Sequence, residues 1–167
     1  MSDPVAQHKA DAPACISCAV LTISDTRTLE TDRGGGLVCE LLESAGHSVD
    51  AREIIRDEPV EMVQAISSVP KSVRVILMTG GTGIASRDQT YETVNTLFTK
   101  VLPGYGELFR MLSFEDIGPA AMLSRATGGI IGSTVLLTMP GSPAAVKLAM
   151  DKLIIPELPH LVQQASK

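Results

Sequence analysis

The stretch that most restricts what this chain can fold into is Val73-Arg74-Val75-Ile76-Leu77-Met78, which runs without a break into Thr79-Gly80-Gly81-Thr82-Gly83. A short run of apolar, β-branched residues with almost no polar alternation suits a strand covered on both faces, as in a parallel sheet. Parallel strands need long crossovers, and helices supply them. The flanking sequence has those pieces. Ile16–Ile23 and Val49–Arg56 are further runs of strand length. Between them Asp32-Arg33-Gly34-Gly35-Gly36 opens a segment in which Leu37, Val38, Leu41, Leu42 and Ala45 recur at helical spacing, and Gly46 stops it. Asp57-Glu58-Pro59 opens a second helix, with Asp57 placed to cap it and Pro59 suited to its first turn. Met62, Val63, Ile66 and Val69 form that helix's buried stripe.

Further helices are expected over Thr90–Lys100, Gly104–Ser113 and Pro119–Arg125. Thr127–Ile131 and Thr134–Met139 read as strands joined at Gly132-Ser133, a two-residue hairpin connection. Pro140-Gly141-Ser142-Pro143 leads into a last helix ending near Leu153, with Pro156 and Pro159 expected to interrupt the chain beyond it. Strands alternating with helices predict an α/β fold: a mostly parallel sheet with helices on both faces.

Composition narrows the function. The chain has 167 residues, enough for one ordinary domain, which we place over residues 15–167 behind a tail of residues 1–14 without periodicity. Apolar residues make up 44%, yet Trp is absent and aromatics are 3%, so the core must be aliphatic. A formal net charge of −5, with no Lys/Arg run, argues against nucleic acid as a partner. No apolar run approaches the ~20 residues that span a bilayer. The N-terminus lacks a basic stretch followed by an apolar one, so a cytoplasmic location is expected. Cys15 and Cys18 form a C-x-x-C, but the pair opens a strand rather than a helix, and no second Cys or His pair completes a zinc site.

In an open α/β sheet, ligands bind at the C-terminal ends of the strands. Ser24–Arg27, Asp57–Pro59, Gly80–Asp88 and Pro140–Pro143 fall at such ends or at helix starts, and all are rich in Gly, Ser, Thr or Asp. Gly80-Gly81-Thr82-Gly83 lets the backbone approach a ligand and present N–H groups to it. It is neither a Walker loop, since no G-K-[ST] closes it, nor a G-x-G-x-x-G fingerprint. Asp57 and Asp88 are each either helix caps or ligand-edge acids. A carboxylate beside a polyphosphate is repulsive unless a divalent cation bridges the two, so two acids beside a phosphate loop imply Mg²⁺. Arg87, Arg110 and Arg125 are candidate anion contacts, or equally ion-pair partners.

Taken in order, these loops resemble the MoaB/MogA family of molybdopterin-binding domains. The matching stretches are Leu21–Arg27, Asp32 with Gly34–Gly36, Asp57-Glu58, Thr79–Gly83 with Arg87-Asp88 and Thr90, Gly104–Ser113, Leu123-Ser124-Arg125 and Met139–Ser142. Phe109–Glu115 is more similar to the MoaB branch. The resemblance implies a three-layer α/β/α domain assembling as a homotrimer, in some members as a dimer of trimers. It implies adenylylation of molybdopterin by Mg·ATP with release of pyrophosphate, the product passing to a MoeA-type molybdate-insertion protein. Asp57 and Asp88 match the two acidic positions associated with that reaction, as catalytic residues and as holders of Mg²⁺. Molybdopterin is expected on Ser24, Asp25, Gly80, Gly81, Thr82, Gly83, Ser124, Pro140, Gly141 and Ser142. One departure is Gly35, where the family often carries serine. The alternative reading is a non-catalytic molybdopterin-binding or regulatory protein. Longer MoeA-type and CinA-type chains share the domain but carry extra ones.

Overall fold

The computed structural model describes residues 14–167; the expected tail, apart from Ala14, lies outside the described residues. In chain order the elements are β1 (Ser17–Ile23), α1 (Arg33–Ser44), β2 (Ser48–Ile55), α2 (Pro59–Ser68), β3 (Val75–Thr79), α3 (Thr90–Asn95) and β4 (Lys100–Val101). Next come α4 (Pro103–Ile117), a 3-10 segment (Gly118–Leu123), β5 (Gly128–Ile131), β6 (Thr134–Met139), α5 (Pro143–Ala149), a π segment (Met150–Ile154) and α6 (Ile155–Ala165).

The six strands form one sheet in the order β2-β1-β3-β6-β5-β4. β2, β1, β3 and β6 run parallel, and the edge pair β5 and β4 is antiparallel. β1 and β3 are buried almost end to end because each face of the sheet carries its own aliphatic layer. On one face Val20, Val75, Leu77 and Leu137 pack against Val38 and Leu42 of α1, Phe109 of α4, Val146 of α5 and Leu158 of α6. On the other, Leu21, Ile76, Met78 and Leu136 meet Met62 and Ile66 of α2 and Val94 of α3. The result is the α/β/α sandwich expected from the sequence, with the chain leaving β1 toward one side of the sheet and returning to β3 on the other.

The structure corrects four local expectations. Asp57 does not cap α2: Glu58 holds that position and makes no side-chain cap bond. The helix from Thr90 ends at Asn95 rather than Lys100. Side chains of Thr93, Asn95 and Thr96 donate back to carbonyls three or four residues earlier, a bonding that competes with helix propagation. Thr99 N–H then donates to Ile130 O at 2.8 Å and draws Lys100 and Val101 into a short edge strand. α4 runs on to Ile117 and stops at Gly118, whose φ of +62° breaks the helical path. Pro156 and Pro159 do not interrupt the C-terminal helix. Pro156 falls in the first turn after the π segment, and a turn widened there accommodates a residue that cannot donate an N–H. The C-x-x-C leaves Cys15 exposed and Cys18 buried, both free; burial pushes the Cys18 thiol up to about 12, so it stays protonated packing material.

Candidate functional site

Three loops meet where β1, β3 and β6 end, and backbone hydrogen bonds tie two of them to neighbouring strand ends. Ser24 N–H donates to Ile55 O at 2.8 Å and Gly80 N–H to Met139 O at 3.0 Å. The close approach depends on residues without side chains. A Cβ on Gly80 would strike the carbonyl of Ile23, and one on Gly34 would strike the carbonyl of Gly141. Gly80 and Gly81 also lie at φ +93° and +62°, a left-handed path that other residues adopt only with strain. The loops enclose a cavity of about 740 Å³ whose wall includes Thr22, Ser24, Arg27, Gly34, Gly80 and Ser142.

Two helices begin at this cavity. Gly34, in the first turn of α1, and Ser142 and Pro143, which open α5, all line it. Helix starts carry unsatisfied N–H groups and a positive potential, and Arg27 and Arg33 add full charges to the same wall. Glu30 and Asp32 line the same wall and offset those two charges, so what favours an anion here is the pair of helix starts. Beneath it runs a buried hydrogen-bond chain. Thr79 Oγ1 donates to Thr22 Oγ1 at 3.2 Å, and Thr22 Oγ1 donates to Asp32 Oδ2 at 2.8 Å. Asp32 Oδ1 accepts the Gly35 N–H at 2.9 Å, capping α1, and Arg52 pairs with the same carboxylate at 3.3 Å. Sequence reasoning did not single out Thr22, Thr79 or Arg52 for the site. The available signal was a threonine at the C-terminal end of each of two neighbouring strands.

Asp57 and Asp88 lie on the glycine loop. A Cβ on Gly81 would meet Asp57 Oδ2 at 2.8 Å, and one on Gly83 would meet Asp88 Oδ2 at 2.7 Å. Asp57 is 7% exposed. Its Oδ1 accepts the Gln89 N–H at 3.1 Å, so it satisfies a donor at the start of α3 instead of α2. Burial, with a smaller contribution from the charge of Asp88, raises the Asp57 pKa above the ordinary carboxylate value. Asp88 accepts the Ala85 N–H at 2.9 Å. The two acids are thus drawn from segments 31 residues apart and brought to one turn.

The other expected residues are placed unevenly. Ser24, Gly80, Gly141 and Ser142 line the cavity. Gly81 and Gly83 back onto the acids, and Thr82 is buried, its carbonyl accepting the Arg125 N–H at 2.8 Å. Asp25 turns to Arg87, whose Nε and Nη2 donate to it at 2.8 Å each; that pairing holds its carboxyl below the usual range. Pro140 and Ser124 are not part of the cavity wall, and Ser124 Oγ accepts the Ala126 N–H at 3.3 Å. All three candidate arginines bond within the chain. Arg87 also pairs with Glu58 at 2.9 Å, and Arg110 donates to Ala126 O at 3.0 Å. Arg125 donates to Gly83 O at 2.7 Å and Asp88 O at 2.9 Å, pairs with Glu92, and stacks over Tyr91.

A doubly wound sheet with a glycine-lined cavity at its switch point, beside a carboxylate pair, defines a class: α/β domains that take a small-molecule ligand at the strand ends. Within that class the chain belongs to the molybdopterin-binding domain family, whose model, described as "Probable molybdopterin binding domain", matches residues 19–160. It is 51% identical over 166 residues to molybdenum cofactor biosynthesis protein B of Bacillus subtilis (strain 168), covering 98% of each chain. A crystal structure of a molybdenum cofactor biosynthesis protein B superposes with a TM-score of 0.90 at 51% identity, over 93% of this chain and 99% of that one. The tungsten cofactor synthesizing protein MoaB from Pyrococcus furiosus superposes with a TM-score of 0.85 at 35% identity, over 93% of this chain and all of that one.

Proposed function

We propose that this protein acts in molybdenum cofactor biosynthesis by binding molybdopterin and adenylylating it with Mg·ATP. The observation that carries the reading is the meeting of Asp57 and Asp88 against Gly81 and Gly83 of the glycine turn, whose first residue, Gly80, lines the cavity. The helix starts, Ser24 and Ser142 hold the phosphate end of molybdopterin, with Arg27 and Arg33 adding charge. Gly81 and Gly83 leave room for the two acids beside the turn.

The acids fit Mg²⁺ by their chemistry. Among the described residues no group of three or more His, Cys, Asp or Glu gathers to form a complete metal cage. Two carboxylates leave positions for water and phosphate oxygens, the mixed set that Mg²⁺ takes. When bound, Mg²⁺ supplies charge neutralisation at the transferring phosphate. A phosphate oxygen of molybdopterin forms the new bond to the α-phosphorus of ATP, and the bridging oxygen leaves with pyrophosphate. The chain's own share is to hold the two phosphates at attack distance and keep the acids pointed at the turn, and positioning of this kind accounts for a large part of such accelerations.

Adenylylation leaves an activated pterin for a MoeA-type molybdate-insertion protein. Self-association into a trimer or a pair of trimers is supported by a row of apolar side chains exposed along α4. No helix among the described residues is long and apolar enough to cross a membrane.

The test is pyrophosphate release by the purified protein with molybdopterin, ATP and Mg²⁺. Asp88→Asn should keep molybdopterin affinity within about twofold and lower turnover by about 10²-fold or more, as expected for loss of a group acting on transferring charge. Normal turnover by that variant would remove Asp88 from the reaction. Intact binding with a silent wild-type chain would favour a non-catalytic pterin-binding role.

A further inference from the structure

The hydrogen bonds around Arg87 form a closed circuit that none of the expected roles explains. Arg87 reaches from the exposed 84–87 stretch to Asp25, in the loop after β1, through two parallel bonds of 2.8 Å. Its third nitrogen reaches Glu58 at 2.9 Å. Asp25 Oδ1 accepts not only Arg87 but also the backbone N–H of Asp57, at 3.3 Å. Asp57 Oδ1 accepts the N–H of Gln89, two residues beyond Arg87, which closes the circuit. Asp88 sits inside it, between Arg87 and Gln89, with its carbonyl fixed from outside by Arg125.

We propose that Arg87 is a positioning residue which, through Asp25, locks Asp57 and Asp88 into register at the glycine turn, and that Asp25 serves this lock rather than the ligand. The proposal rests on the adenylylation reading for its functional meaning. Two features of the geometry support it. The fork of a guanidinium on a carboxylate fixes orientation as well as distance, which a single ammonium contact does not. Charge is apportioned too: Arg87 engages Asp25 and Glu58 directly, and among the described residues neither Asp57 nor Asp88 is drawn into an ion pair. Arg87 is not one of the residues that wall the cavity, and its guanidinium is taken up by Asp25 and Glu58, so its influence on the reaction passes through the acids.

The experiment compares the full chain with Arg87→Ala, Arg87→Lys and Asp25→Asn, with two readouts. The first is amide hydrogen exchange at Asp57 and Gln89 in the ligand-free protein, which does not depend on turnover. The second is the division of the kinetic effect between kcat and molybdopterin affinity. Arg87→Ala and Asp25→Asn should each speed exchange at both amides by about tenfold or more while leaving Gly80 protected. They should lower kcat by about 10²-fold with molybdopterin affinity nearly unchanged, as misplacement of a reacting constellation does. Arg87→Lys should fall between, and a variant combining Arg87→Ala with Asp25→Asn should be no worse than either single one. Arg87 is exposed, so the fold should survive these changes.

Protected amides and intact kcat in Arg87→Ala would overturn the proposal, and so would faster exchange with undiminished turnover. A loss confined to molybdopterin affinity would make Arg87 a ligand contact and equally overturn it. If the wild-type chain does not adenylylate but the two amides still lose protection together in Arg87→Ala and Asp25→Asn, the lock stands and the adenylylation reading fails.

Discussion

Gly35 shows how one residue can matter through what it leaves out. It sits in the first turn of α1, where an alanine would ordinarily favour the helix by about 1 kcal/mol. Yet a Cβ there falls on Thr22 Oγ1 and Asp32 Oδ2, the two atoms whose 2.8 Å hydrogen bond links β1 to the cap of α1. Nothing flexible is available to yield: Thr22 and Asp32 are both buried, and Asp32 is also held by the Gly35 N–H and by Arg52. Gly35→Ala should therefore destabilise the protein, by about 1–3 kcal/mol as overpacked sites do, despite the better helix former. Urea unfolding of the variant beside the wild type checks this, and an increase in stability would show that the Thr22–Asp32 pair separates without cost. Molybdopterin binding should weaken in the same variant, because Thr22 and Asp32 are part of the cavity wall.

At the scale of elements, the site is held by loops that borrow rigidity from their neighbours. Two arginines tie the turn from Gly80 to Asp88 to the rest of the chain: Arg87, within it, reaches out to Asp25 and Glu58, and Arg125 reaches in to its base. Arg125 grips two carbonyls of the turn, Gly83 O and Asp88 O, while its guanidinium carbon lies 5.4 Å from the Tyr91 ring centre. Lysine can satisfy one of those carbonyls but cannot span both, and it stacks less well. Arg125→Lys should cost about 1–2 kcal/mol, the scale of a lost charge-assisted hydrogen bond. It should also speed amide exchange in residues 83–88, and exchange unchanged there would show that the turn holds itself. These anchors also mark how far the sequence could be read. Strands β1 and β3 were legible because complete burial leaves an unmixed apolar run, and Gly80–Gly83 because a strand passing straight into glycines has few other meanings. The cap made by Asp57 was not legible, since its target, Gln89, lies 32 residues along the chain and only the folded sheet brings them together. Nor was β4 foreseeable from two residues, Lys100 and Val101, whose strand character comes from pairing with β5. Asp25 and Arg87 were each recognised as polar residues at the ligand edge, but their pairing across 62 residues is a property of the fold.

For the whole molecule, the surface carries information the cavity does not. Along α4, Leu108, Met111, Phe114 and Ile117 succeed one another at three-residue steps, and all are exposed. Met122 and Leu123 in the adjoining 3-10 segment are exposed as well. The buried side of the same helix is marked by Gly106, Phe109 and Ser113, so these apolar residues do not serve the chain's own core. A row of large apolar side chains left in water gives up about 1.5–3 kcal/mol for each that a partner surface would cover, which is a strong pressure toward association. A second copy is the partner that is always present at the needed concentration, and the family resemblance supports a trimer or a pair of trimers. Phe114→Glu places a charge in the middle of the row, where burial without a counter-ion is costly. Sedimentation velocity should show the wild-type chain as a trimer or hexamer and the variant shifted toward monomer. If the residues of one chain that wall the cavity, from Thr22 to Pro143, suffice for the ligand, the dissociated variant should still bind molybdopterin. A monomeric wild-type chain would refute the assembly outright. A variant that dissociates and loses the ligand together would show that a neighbouring subunit completes the pocket.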